Sequence, residues 1–198
     1  MAKFFRYLSY VIRHRWFVMI ECFKRGLIWR GLTHDLSKFH PSEFFPYMHH
    51  FGGGIQTGRN STGYYKAGSS GDLPFDRAWL RHQQKNKHHW QHHCLVQDTD
   101  PFTVFEMSEK DRIEMLCDWI GAGRAQGTPD VKLWYKTNGH RMILGPETRE
   151  WVEDQLKTKP EHDPNWKWWQ CAECRGANIV PVDSCNHCRN CGTEAKIN

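Results

Sequence analysis

Histidine and aspartate recur in this chain where the surrounding pattern turns them inward. His14 has Tyr10, Val11, Phe17 and Val18 at helical spacing, so its imidazole faces a core. Asp118 lies inside the apolar run "MLCDWI". A carboxylate there needs a partner, because desolvating an unpaired charge costs several kcal/mol. Between them comes "THDLSKF", with His34 and Asp35 adjacent and Lys38 about one helical turn beyond. The stretch "RHQQKNKHHWQHH" adds His82, His88, His89, His92 and His93. Neutral imidazoles and carboxylates are the ligand types of Mn, Fe, Ni and Zn, and facing helices can converge several of them on one ion.

A second group of residues carries different chemistry. Cys171, Cys174, Cys185, Cys188 and Cys191 fall in "CAECRGANIVPVDSCNHCRNCG". Cys171-x-x-Cys174 and Cys188-x-x-Cys191 have the spacing of a closed tetrahedral zinc site, with Cys185 as an alternate ligand in the second pair. A closed site of four thiolates is structural, and a unit of about 30 residues needs such a staple to fold. Cys22, Cys94 and Cys117 are scattered and read as small core residues.

The elements that must position these groups read as helices. Apolar spacing predicts a helix over 3–25, a second over 27–39 carrying His34-Asp35, and a third from Pro41 to about His50. Residues 52–74 are glycine-rich and read as a long loop. A helix is expected over 75–93, which would place His82 and His89 on one face and His88 about 100° away. Further helices are expected over 108–122 (Ser108 as N-cap), 129–137 and 146–157. No strand is expected before residue 176, where "NIVPV" reads as one. The expectation is an all-α, helical-bundle domain over 1–157, a linker over 158–170 and a zinc ribbon with a short β hairpin over 171–198.

Composition narrows the class. The chain has 198 residues, 39% hydrophobic and 14% aromatic, which argues for a packed core rather than disorder. The net charge of +5 is a mild bias toward anionic partners, with basic residues concentrated in the first 31 positions. The apolar run "WFVMI" is far shorter than the roughly 20 residues that a bilayer requires. No membrane partner and a cytoplasmic location are therefore expected.

The order His14, His34-Asp35, Asp118 resembles that of the HD-domain superfamily of metal-dependent phosphohydrolases, over roughly residues 8–125. The resemblance implies one or two divalent transition metals, Mn, Fe, Ni or Zn. In two-metal members, further histidines lie between the HD pair and the final Asp. By that resemblance His82 and His89, or His88, are second-site ligands and Asp35 bridges. The sequence "HDLSK" lacks the Glu of simple HD nucleotidases and resembles the HD-x-x-K branch, in which Lys38 anchors substrate. The patterns "AWLRHQQKNKHHW", "CDWIGAG" and "PETREWVE" resemble most closely a family of bacteria and their phages with no established reaction.

The expected function is a metal-dependent phosphohydrolase acting on a nucleotide or other phosphorylated small molecule. Asp35 and Lys38 are its expected catalytic residues. A diiron oxygenase of the inositol-oxygenase type would use the same ligands. A non-enzymatic adaptor that binds nucleic acid or protein through the ribbon is the third expectation.

Overall fold

The computed structural model describes residues 1–52, 72–95 and 103–161 fully, and the backbone of 166–170 and 177–181. Among these residues the chain is mostly helical. Seven α-helices follow in order: α1 (Ala2–Lys24), α2 (Ile28–Thr33), α3 (Pro41–His50), α4 (Leu73–Lys85), α5 (Glu109–Gln126), α6 (Val131–Asn138) and α7 (Pro146–Leu156). Four short strands form two antiparallel pairs, β1 (Cys94–Leu95) with β2 (Thr103–Val104), and β3 (Trp166–Gln170) with β4 (Ala177–Pro181).

Local chemistry sets the helix ends. Ser108 accepts the amide of Asp111 and caps α5, while Gly127 closes it at φ 79°. Asp72 and Asp130 cap α4 and α6 in the same way. The bundle is organised by α1, which packs along α5 and also against α2 and α3. Gly121 permits the close approach: a Cβ there would lie 2.8 Å from the Val18 amide nitrogen of α1. One core cluster joins α1, α3 and α4 around Tyr7, Val11, Phe44, Tyr47 and Phe75. A second gathers Met115, Leu116, Tyr135, Met142 and Val152. Cys22 and Cys117 are buried with Val18, as expected of small core residues, and Cys94 is half-buried.

Three expectations are corrected. The helix read over 27–39 breaks at His34-Asp35. His34 turns to an extended conformation (φ −51°, ψ 129°), Asp35 takes the left-handed one (φ 51°, ψ 29°), and a 3-10 turn spans Leu36–Phe39. The helix read over 75–93 stops at Lys85. Asn86 is extended, its side-chain amide donates to the His82 carbonyl at 2.9 Å, and a separate 3-10 turn covers Trp90–His93. Strands also occur before residue 176, with β1, β2 and β3; β3 lies within the span read as a linker. Of the span 52–74 read as a loop, residues 53–71 lie outside the described residues, as do Cys171, Cys174, Cys185, Cys188 and Cys191, and Leu73 and Pro74 belong to α4.

Candidate metal centre

The break after α2 aims two adjacent side chains inward. Arg15 of α1 holds it, donating from Nε to the His34 carbonyl at 2.7 Å and from a terminal nitrogen to the Leu32 carbonyl at 2.9 Å. Asp35 then stands at the centre of two groups of ligand atoms. In the first, His14, His34, Asp35 and Asp118 bring one ligand atom each within 4.8 Å of one another. The second consists of Asp35, His82, His88 and His89 under the same limit.

The two carboxylate oxygens of Asp35 divide between these groups. Oδ2 faces Nε2 of His14 and of His34, both at 3.5 Å. Oδ1 faces Nε2 of His82 at 3.5 Å and of His88 at 3.4 Å. Asp118 Oδ1 closes the first group at 3.2 Å from His14 and 3.4 Å from His34. All seven residues expected to be ligands therefore converge. The break at Asn86 is what brings His88 in beside His82, so its expected position 100° away does not hold. His92 and His93 serve the backbone instead: their ring nitrogens meet the carbonyls of Gln84 at 2.6 Å and Lys87 at 2.9 Å, pinning the turn.

A second layer of carboxylates orients the rings. Glu114 Oε1 accepts from Nδ1 of His34 at 3.0 Å and lies 3.3 Å from Nδ1 of His88. Its other oxygen meets Arg30, which also binds Asp111 at 2.6 Å. Glu43 lies 2.6 Å from Nδ1 of His82. At His34 and His88 such carboxylate–histidine pairs favour the tautomer that leaves Nε2 for a metal, whereas Nε2 of His82 also meets Lys38 at 3.3 Å. Neither glutamate is among the expected site residues. Glu114 was findable in principle: it lies four residues before Asp118 and so shares its helix face. Replacing Glu114 with Gln is expected to weaken metal binding by about 10–100-fold, the usual effect of losing such a partner. A calorimetric metal titration of the variant checks this.

Buried atoms without partners test whether a cation fits. Nε2 of His34, His88 and His89 and Oδ1 of Asp35 are buried with no hydrogen bond. Each such group costs about 1–3 kcal/mol, and because they meet at one place a single cation could satisfy them together. The set of nitrogen and oxygen donors fits a first-row transition metal.

The charges lead to the same conclusion. Burial opposes a proton on His14, yet hydrogen bonds to Asp118 and Asp35 raise it to about 10. His34 is also opposed by burial but raised to about 9 by Asp35, Asp118 and Glu114. Burial alone would raise the Glu114 carboxyl, but its histidine partners pull it down to about 2. Asp35 and Asp118 are likewise held well below the ordinary carboxylate range, against burial, by the histidines around them and, for Asp35, by Lys38. Protons thus supply the positive charge that these carboxylates require when no metal is bound.

The sign of the pH dependence follows. Raised pKa values on His14 and His34 stabilise the metal-free fold fully below about pH 6.5, and this contribution is lost as pH rises through 9 and 10. The metal-free midpoint of thermal unfolding is therefore expected to fall across that window. A metal needs both Nε2 atoms deprotonated, so loading at neutral pH should expel about two protons. Calorimetry in buffers of different ionisation enthalpy measures this number. Release of no protons would show that the protons on His14 and His34 are not displaced by the ion.

Lys38 is buried in the 3-10 turn, 3.4 Å from Asp35 Oδ2, 3.3 Å from His82 Nε2 and 4.8 Å from the Tyr47 ring centre. Burial disfavours its charge, but Asp35, Tyr47, Tyr7 and Glu43 together outweigh that and hold its pKa well above the ordinary lysine value. It is an ammonium beside the candidate ligands. A cavity of about 590 Å³ opens over Asp35, Lys38 and both histidine groups. Residues from both core clusters line it, Tyr7 and Tyr47 from one and Met115 and Met142 from the other, so it lies between them.

Fold and site together define a mostly helical protein with a buried cluster of histidines and carboxylates suited to metal. The chain belongs to DUF5662, a family of unknown function, whose model matches residues 3–158. That span takes in α1 to α7 and every residue of both ligand groups. No curated protein and no solved structure matches the chain. No helix among the described residues is long and apolar enough to cross a membrane.

Proposed function

We propose that the chain is an HD-type, metal-dependent phosphohydrolase acting on a nucleotide or another phosphoester. The observation that carries the reading is the division of Asp35: one oxygen faces each histidine group, with unpartnered Nε2 atoms around it. Divalent ions held there would lower the pKa of water toward neutrality and bind the phosphoryl oxygens. His14, His34, Asp35 and Asp118 would hold one ion, and Asp35, His82, His88 and His89 the other. Lys38 would hold a phosphoryl oxygen as a point charge, since its ammonium is buried beside the ligands. Tyr7, Tyr10 and Tyr47, with the tryptophans of the cavity, would limit bulk water around the ester.

The test is metal analysis of the full chain, followed by a phosphoester screen with Mn²⁺, Fe²⁺, Ni²⁺ or Zn²⁺. Turnover that disappears in His34→Ala and Lys38→Met supports the proposal. A protein that binds no metal beyond the zinc of its cysteine tail sinks it. A structural zinc in the Cys171, Cys174, Cys188, Cys191 ribbon belongs to the same proposal, with nucleic acid or protein as the ribbon's partner. That zinc should survive Asp35→Asn and be lost in a Cys171→Ser, Cys174→Ser double variant. Three histidines on one side of a shared carboxylate also suit iron. Substrate-dependent O₂ uptake without phosphate release would favour the diiron oxygenase reading.

A further inference from the structure

A tryptophan directly follows a candidate ligand in each group: Trp90 follows His89, and Trp119 follows Asp118. Both are half-buried and line the cavity. Trp119 is held in place by the Tyr135 ring, stacked at 5.8 Å and 22°, and by Trp134 at 5.5 Å. These rings pack on the second core cluster. The facing wall belongs to the first cluster, where Trp79 stacks on His82 at 5.9 Å and 18° and meets His89 edge-on at 5.6 Å. The cavity lining therefore combines ligand atoms and Lys38 with two aromatic groups, Trp79 on the first cluster and Trp119 with Trp134 on the second. At about 590 Å³ it lies in the range of sites that enclose a whole small molecule, far larger than one phosphoryl group needs.

We infer that the substrate is a phosphoester that also bears a flat aromatic ring, received between Trp79 and the Trp119–Trp134 pair. This rests on the phosphohydrolase reading. Aromatic faces accept any planar π-system, and the walls are already fixed by their own ring contacts, so little freedom is lost on binding. The ring subsite sets which phosphoester is taken; the ligand atoms and Lys38 set only that an oxyanion is taken.

The experiment uses the full chain loaded with Mn²⁺ and two non-hydrolysable probes, naphthylphosphonate and methylphosphonate. They share a headgroup and differ in the ring. Naphthylphosphonate is expected to bind about ten-fold tighter or more, the usual gain from one stacked ring. Trp119→Leu and Trp134→Leu should each remove most of that gain while the protein keeps its Mn²⁺, and Trp119→Phe should keep part of it. Metal-dependent binding of methylphosphonate with no gain from the ring, or a gain that survives both leucine variants, would overturn the inference. Binding of neutral naphthalenemethanol but of neither phosphonate would uphold the ring subsite and overturn the phosphohydrolase reading. Binding of none of the three would overturn both.

Discussion

Replacing Asp35 with Asn should empty both halves of the metal centre at once. Its Oδ2 faces His14 and His34, and its Oδ1 faces His82 and His88, so one substitution removes an anionic donor from each group. Asp118→Asn is the contrast, because Asp118 meets only His14 and His34 among the histidines. Metal content after desalting is expected to fall to that of the proposed ribbon zinc alone in Asp35→Asn, and by one ion in Asp118→Asn. Phosphoester turnover should fall by more than about 100-fold in Asp35→Asn, since losing only an outer partner of a ligand costs about 10–100-fold in affinity or activity. An Asp35→Asn protein that kept an ion in the helical domain would show that the carboxylate is not shared.

The largest effect on stability is expected from Gly121→Ala. The new Cβ would lie 2.8 Å from the Val18 nitrogen and 3.1 Å from its Cα, and these are helix backbone atoms that no rotamer change can move. Helices α1 and α5 must separate, at a cost of about 1–3 kcal/mol or more. For a chain of this size that lowers the unfolding midpoint by roughly 2–12 °C. The damage reaches the centre as well. Val18 is four residues beyond His14, and Gly121 three beyond Asp118, so the parting of the helices opens the 3.2 Å gap between His14 and Asp118. Thermal unfolding and metal titration of one preparation measure both effects. An unchanged midpoint would show that the interface can yield without cost.

Two of the candidate ligands could be read from the chain because burial was visible in their neighbours; the others rested on a resemblance in ligand order. His14 among aromatic and branched residues, and Asp118 inside an apolar run, had to be paired with something. The helical character of the chain was visible for the same reason: α1, α3, α5, α6 and α7 follow their apolar spacing to within a few residues. The two breaks that build the site were hidden. Neither "THDLSK" nor "KNKHH" contains a Gly or Pro to mark an end, and each break is held by groups distant in sequence or at its own side chain, Arg15 for the first and Asn86 for the second. Glu43 was hidden because an acidic residue in a first helical turn ordinarily faces solvent, and Glu114 because only its place on the face of Asp118 marks it. Only tertiary packing turns these two toward His34, His88 and His82.

The left-handed backbone at Asp35 bears on how this family can change over evolution. That conformation is strained for most residues with a side chain, and Asp and Asn are among the few that adopt it readily. Of these, only Asp brings a carboxylate. Asn would keep the turn and forfeit the charge, so a relative carrying it is expected to keep the fold and lose the metal. Bulkier residues at the same point would put both at risk. On the proposed metal reading, the easiest route from metal protein to scaffold runs through this one position, and sorting relatives by the residue found there would separate the two kinds before any assay is run.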